Sequence, residues 1–299
     1  MRLSLLVLCS LVLSTSAVAA PTIYKYTDAN GVVTYTDKPT RGASIFVFRD
    51  NMVEHLEQQV HLDVDKQKGS ATFIARNELF APVEVELRLS GLGNVAPGAP
   101  QSVRKVVPAR SSVALVALRA QDASKALRYT PAFKYALGNP SGQAQAYLYP
   151  LPWVGGPFRL SQGANGAFSH TGVKSRYAMD IAMPVGTPII AARAGTVVKV
   201  ENGQSGRGSD PSGNFVRILH SDGTMGVYLH LSEGSVVVGE GQQVSVGTPL
   251  GRSGNTGNSS GPHLHFVVQR NTGMGLVSIP YQFNQPIQAL PNFAVGARR

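Results

Sequence analysis

The chain is short of cysteine, of acidic residues, of tryptophan and of long apolar runs, and each shortage excludes something. Its one cysteine, Cys9, lies in the apolar run Leu3 to Leu13, which follows Arg2 and precedes the small residues Ala17-Val18-Ala19. One positive residue, a short apolar run and alternating small residues form the pattern of a secretory signal peptide, here residues 1–19 with cleavage after Ala19. Cys9 follows Leu8 rather than a small residue, so it is not read as a lipid attachment site. Once it leaves with the leader, the mature chain has no thiol. That excludes disulfides and leaves the fold to its own core, helped by a metal where one binds. Later runs fall short of the roughly 20 apolar residues of a spanning helix, so stable membrane insertion is not expected. Acidic residues number 17 against 27 basic ones, a formal charge of +10 that favours anionic polymers. Nucleic acid, wall polymers and lipid surfaces all carry such charge. An exported protein meets the last two first, so no nucleic-acid partner is expected and the location is periplasmic or secreted.

At 299 residues, with 43% of them hydrophobic, the chain has the length and the apolar content for two or so domains. In IYKYTDANGVVTYTDKP, Ile23 to Pro39, Asn30-Gly31 separates two runs rich in Tyr, Thr and Val, the strongest short signal for a two-residue hairpin turn. This stretch resembles a small exported hairpin domain of unknown function. Only the shape is carried over, as a β-hairpin domain over residues 20–45 that is structural or wall-binding. From 46 to 150 the pattern is antiparallel and sandwich-like: Val83, Val85, Leu87 and Leu89 alternate with Glu84, Glu86, Arg88 and Ser90, and Val113 to Leu118 is a second strand. His55 and His61 stand beside acidic residues in a polar segment, where a solvated role is expected rather than a metal. The Pro- and Gly-rich Leu148 to Gly163 marks a boundary and holds the only tryptophan, Trp153, expected to pack against the domain that follows. Residues 151–299 read as nearly all β. The fold class is therefore mostly β: an N-terminal β-hairpin, a β-sandwich-like middle domain and an antiparallel β-sheet C-terminal domain.

The remaining five histidines, His170, His220, His230, His263 and His265, all follow that boundary, as does Asp180 in SHTGVKSRYAMDIAMPVGTPI. Residues two apart in a strand share a face, so His263 and His265 of GPHLHF project together, roughly 7 Å apart. Two neighbouring cations repel, which favours neutral imidazoles, and neutral imidazole is a zinc ligand. Taken alone, His-Leu-His is more commonly a buried pair bonded to backbone. Joined to a His and Asp pair and a further strand-end His, it matches a catalytic zinc site, with three protein ligands, an open position, and groups that orient water and stabilise an oxyanion.

The blocks SHTGVKSRYAMDIAMPVGTPIIAARAGTVV, GNFVRILHSDGTMGVYLHL and GRSGNTGNSSGPHLHF, within about Phe168 to Val268, resemble the lysostaphin or LytM type of zinc metallopeptidase, which cuts peptide bridges of bacterial peptidoglycan. The resemblance implies one zinc per chain on His170, Asp180 and His265, with His230 and His263 flanking the water and the scissile carbonyl. It implies peptidoglycan peptide stems and cross-links as substrate. In the family three residues separate the first His from the Asp, whereas here Thr171 to Met179 intervene; the longer loop either reshapes the groove or moves the first ligand elsewhere. His220, before Ser221-Asp222-Gly223, has no place in the family set and is expected to finish a hairpin.

Two other classes stay open on the sequence: a catalytically silent relative that activates other wall hydrolases, and a closed structural zinc site. The N-terminal segments either cover the groove, as self-inhibition or through a regulatory partner, or anchor the protein to the wall.

Overall fold

The computed structural model describes the strand backbone within residues 23–46, and residues 59–207 and 210–288 in full. The leader expected over residues 1–19, the Asn30-Gly31 turn and His55 lie outside the described residues. Among the described residues strands are the regular element, and none is helical, so the fold is mostly β. No described helix is long and apolar enough to cross a membrane.

The chain forms two compact units, Met1–Phe48 and Arg49–Arg299. In the first, β1 (Ile23–Thr27) pairs antiparallel with β2 (Val33–Thr36). A third strand that the sequence did not announce, β3 (Ser44–Phe46), joins the other edge of β1.

The second unit begins with two three-stranded antiparallel sheets. One holds β4 (Val60–Gln67), β5 (Ser70–Asn77) and β8 (Ser111–Arg119), in the order β4-β5-β8. The other holds β6 (Val83–Gly93), β7 (Ser102–Val107) and β9 (Arg128–Leu137), in the order β7-β6-β9. Period-two alternation puts Ala71, Phe73 and Ala75 of β5 and Val83, Val85, Leu87 and Leu89 of β6 into one shared core. Each large aliphatic or aromatic side chain so buried contributes roughly 1.5–3 kcal/mol. Glu84 and Glu86, which alternation assigns to the water side, are covered instead: Arg104 and Arg88 lie over Glu86 at 2.9 and 3.0 Å, and Glu84 accepts the backbone N–H of Met274. His61 lies on β4.

The rest of the unit carries β10 (Leu148–Tyr149), β11 (Arg159–Gln162), β12 (Met179–Ala182), β13 (Pro188–Ile190), β14 (Gly195–Glu201), β15 (Asn214–Leu219) and β16 (Thr224–Leu231). After them come β17 (Gln243–Val244), β18 (Pro249–Arg252), β19 (His263–Asn271), β20 (Leu276–Ser278) and β21 (Gln282–Phe283). An eight-stranded sheet runs β11-β12-β19-β16-β15-β14-β17, with β20 on β19. Its two faces follow the alternation. Leu264, Phe266 and Val268 of β19 join Ile181, Val216, Ile218 and Tyr228 in the larger core, where Trp153 also packs, as expected. Val267 joins Ala178, Phe215, Val227 and Leu229 in a smaller cluster on the opposite face.

The sandwich meets this sheet at one end of its central strands. Val198, Met225 and Leu276 belong to the sandwich core, and Asn271 donates to Gly138 O at 3.1 Å. Beside them Lys199 bonds Gln59 at 2.7 Å and Glu240 at 3.0 Å. Met225 is the second residue of β16 and Asn271 the last of β19, whereas His230 and His265 stand near the other ends of those strands. The six steps from His265 to Asn271 span roughly 20 Å at about 3.3 Å of rise per residue.

Candidate metal centre

Strand register brings the first two groups together. Asp180 of β12 lies opposite His265 of β19, and Ala182 opposite His263. Directly opposed residues share a face, so the carboxylate and the imidazole meet: His265 Nδ1 is 2.8 Å from Asp180 Oδ1. On the other side of β19, Leu229 of β16 is registered with His265.

His230 reaches the same face through a bulge. Between Asn214↔Leu231 and Val216↔Tyr228 the β15–β16 register shifts, so Leu229 and His230 together oppose Phe215. His230 takes φ 62, a left-handed conformation that costs a β-carbon-bearing residue roughly 1–2 kcal/mol. Strict alternation would turn His230 to the side of Tyr228. The bulge re-aims it, and its ring stands 4.7 Å from His263 and 5.8 Å from His265, centroid to centroid. Strain held at such a point marks a position the surrounding fold determines.

His170 arrives on the loop between β11 and β12. The loop closes on itself through Asn165 N to Arg176 O at 2.6 Å and His170 N to Gly166 O at 3.0 Å. It is pinned to the sheet by Gln269 Nε2 to Lys174 O at 2.7 Å and Ser278 N to Val173 O at 2.7 Å. With Thr171 to Met179 folded away in this manner, His170 Nε2 lies 3.2 Å from Asp180 Oδ1. The structure thus brings all five sequence candidates, His170, Asp180, His230, His263 and His265, into one cluster.

Hydrogen bonds fix the tautomers. The Nδ1 atoms of His170, His230 and His263 face the carbonyls of Gly163, Thr256 and Gly261, each at 2.8 Å. A carbonyl only accepts, so each Nδ1 carries a proton and each Nε2 keeps its lone pair. Burial would raise the Asp180 carboxyl, but the neighbouring imidazoles, His265 first and then His170 and His263, outweigh it and hold the group well below its usual range. Burial first, and then the neighbouring His263 and His265, push His230 well below the usual imidazole value, so it is neutral near pH 7.

Two sets of ligand atoms lie within 4.8 Å of one another: His170, Asp180 and His265, and His230, His263 and His265. The first suits a tetrahedral zinc. Ligand atoms about 2.1 Å from such an ion stand roughly 3.4 Å apart. Here Asp180 Oδ1 is 3.2 Å from His170 Nε2 and 2.8 Å from His265 Nδ1. His265 turns Nδ1 to this oxygen, while its Nε2 is buried with no hydrogen-bond partner among the described residues. The donor set, two imidazoles and one ionised carboxylate, is one that zinc accepts.

The sequence reading missed Gln162, which donates to Asp180 Oδ2 at 2.9 Å. The available signal was a glutamine in a short strand directly before the glycine-rich GANG and His170. His220 stands apart from the cluster. Its Nδ1 donates to Ala194 O at 2.8 Å and its Nε2 accepts from Gly226 N at 3.1 Å, so it is fully engaged at its hairpin.

Residues 174–275 match the profile of Peptidase family M23, and residues 9–61 that of a domain of unknown function (DUF4124). The chain is similar to the peptidoglycan DD-endopeptidase ShyA of Vibrio cholerae serotype O1, 45% identical over 117 residues, which make up 38% of this chain and 25% of that protein. It is also similar to lysostaphin of Staphylococcus simulans, 38% identical over 118 residues, 39% of this chain and 21% of that protein. A solved structure of the antimicrobial peptidase lysostaphin from the same organism shows 32% identity over 39% of this chain and 44% of that one, with a TM-score of 0.32. The chain spans about a quarter of the length of the curated relatives it matches.

Proposed function

We propose that this protein, whose residues 174–275 match the profile of Peptidase family M23, is a zinc-dependent endopeptidase that hydrolyses the peptide cross-links of bacterial peptidoglycan. The observation that carries the reading is the approach of His170 Nε2 and His265 Nδ1 to one oxygen of Asp180, at 3.2 and 2.8 Å, with His230 and His263 alongside. His170, Asp180 and His265 would hold the ion. His263 Nε2, at 3.6 Å from Asp180 Oδ1, stands farther off than either ligand atom and is assigned to the reaction instead.

Zinc held there supplies Lewis acidity, lowering the pKa of water and polarising a peptide carbonyl. The remaining work belongs to the chain. His230 and His263 present unprotonated Nε2 atoms to the same space, because Thr256 O and Gly261 O occupy their Nδ1 protons. One such nitrogen accepts the proton of the attacking water, and the imidazolium so formed returns it to the leaving amine. The other stays neutral, accepts the second hydrogen of that water through its Nε2 lone pair and so orients it, while the imidazolium donates to the developing oxyanion before it gives up its proton. Ser259 Oγ, 3.1 Å from His263 Nδ1, steadies that ring further.

The protein acts outside the cytoplasm, in the periplasm or after secretion, where its substrate is found. Residues 20–45 and 46–150 serve as accessory domains to a peptidase domain over 151–299. The sandwich contacts, made at the strand ends away from the histidines, favour bracing or anchoring over cover of the groove.

Mass analysis of fragments released from purified peptidoglycan tests the reading. New peptide termini that appear with zinc and vanish with chelator support it. Binding to the wall without any cleavage would favour the silent activator instead.

A further inference from the structure

Gln162 occupies a position that the hydrolytic chemistry above does not use. It is buried at the end of β11, directly opposite Asp180 in the β11–β12 register. A one-residue shift between Leu160 and Gln162 sets that register: Leu160 pairs with Ile181, Ser161 is left over, and Gln162 faces Asp180. Without the bulge the opposing residue would be Ser161, whose side chain is too short to do what the glutamine does.

All four hydrogen-bonding positions of the Gln162 carboxamide are occupied. Its Nε2 donates to Asp180 Oδ2 at 2.9 Å and to Ser169 Oγ at 2.8 Å. Its Oε1 accepts from the backbone N–H groups of Phe168 at 3.1 Å and Ser169 at 3.2 Å. A carboxylate only accepts and backbone N–H only donates, so these partners also fix which end is nitrogen. Gly166 is pressed against the same side chain, since a β-carbon there would stand 2.3 Å from Gln162 Cγ. One amide therefore grips the carboxylate of Asp180 and the two residues immediately before His170.

We propose that Gln162 is a positioning residue that sets His170 and Asp180 against each other as metal ligands. It ties up Asp180 Oδ2, leaving Oδ1 as the single oxygen turned towards His170, His263 and His265. It also anchors the loop that delivers His170 at the end nearest that residue. Thr171 to Met179 separate the two ligands in the chain. Ordering such a segment costs conformational entropy, so a tether at its start decides how well placed His170 is before any metal arrives. The inference rests on the reading of His170, Asp180 and His265 as ligands.

The test measures zinc affinity of the full protein by competition with a chelating dye, and the visible absorption spectrum of the cobalt(II)-loaded protein. Gln162→Met keeps length and bulk but removes all four bonds, and Gly166→Ala crowds the amide from the loop side. Both are expected to weaken zinc binding about 10- to 100-fold, the loss typical of removing a partner that orients a metal ligand. Both are also expected to shift the cobalt bands; the lost bonds and the crowding lower the unfolding temperature of the metal-free protein too, so affinity and spectrum are read well below that transition. Gln162→Glu, which sets a carboxylate against Asp180 Oδ2, should weaken binding at least as much. Wild-type affinity and an unchanged cobalt spectrum in Gln162→Met or in Gly166→Ala would overturn the proposal alone. Asp180→Ala separates the two failures: if it binds zinc as tightly as wild type, or if the wild type binds none, the ligand reading itself falls and the role of Gln162 with it.

Discussion

The imidazoles of His230 and His263 stand 4.7 Å apart, at 49° to one another, each with its Nδ1 held by a backbone carbonyl. Neighbouring rings fixed in this way share one environment but need not share one task. Their Nε2 atoms are the two imidazole nitrogens of the cluster that the ligand assignment leaves to the reaction. His230→Ala and His263→Ala are therefore expected to keep about one zinc per chain while losing roughly 100- to 10,000-fold in cleavage rate, the usual worth of a positioned acid or base. Metal analysis beside fragment release from peptidoglycan checks this. Loss of zinc in His263→Ala as complete as in His265→Ala would show the pair to be assigned the wrong way round.

Metal removal addresses the other set. A chelator should abolish cleavage and added zinc should restore it. His265→Ala should bind no stoichiometric metal, because two protein ligands seldom hold zinc. His170→Ala is the more informative variant, since the intervening Thr171 to Met179 made that residue the least certain on spacing alone. With Nε2 at 3.2 Å from Asp180, its removal should abolish zinc binding as His265→Ala does. Zinc content near wild type would mean that another side chain completes the set.

A third expectation concerns stability and lies away from the cluster. Burial pushes the His220 imidazole down from 6.5 to about 4. The bond to Ala194 O opposes this shift, but Gly226 N–H points at Nε2, where a proton would meet another proton. The unfolded chain takes up that proton near pH 6.5 and the folded chain only near pH 4. The stability is thus fully present above pH 6.5 and is lost as pH falls from 6.5 to 4. A shift of that size is worth roughly 3 kcal/mol. Denaturant titrations of the metal-free protein at pH 7 and pH 4.5 should show a difference that His220→Gln largely removes, since an amide offers a donor and an acceptor that do not titrate in this range. An equal difference in the variant would assign the acid loss to other groups.

What could be read in advance, and what could not, follows from the range of each signal. Alternation is local, so β6, β8, β16 and β19 were legible from Val83 to Leu89, Val113 to Leu118, MGVYLHL and HLHF. The pairing of His263 with His265 on one face follows from the same period. His230 does not: alternation sends it to the wrong side, and the bulge that corrects it depends on how β15 registers against β16. Gln162 was illegible for a like reason, because its partner Asp180 is set by a bulge between strands rather than by sequence neighbours. The cover over Glu84 and Glu86 comes from Arg104 and from Met274, 190 residues beyond Glu84, and no local pattern carries that.

The last expectation concerns the sandwich. If it held the groove closed, loosening it would raise activity; if it braces the sheet, loosening it would cost stability alone. Met225 packs in the sandwich core from the start of β16, and Asn271 bonds Gly138 O from the end of β19. Both lie at the strand ends opposite His230 and His265. Met225→Ala removes a fully buried side chain and should destabilise the protein by about 2–5 kcal/mol. Asn271→Ala, which leaves the Gly138 carbonyl without its partner, should cost about 1–3 kcal/mol. Since Met225 and Leu276 of the large sheet share one core with Phe73 and Leu87, sheet and sandwich should unfold in a single transition, and calorimetry should show one peak moved to lower temperature. Cleavage of a small soluble cross-linked peptide, measured per zinc-loaded molecule well below that transition, should stay at the wild-type rate in both variants. A clear rise in that rate would mean that the sandwich restrains the histidine end of the sheet after all, and would return self-inhibition to the leading account of residues 46–150.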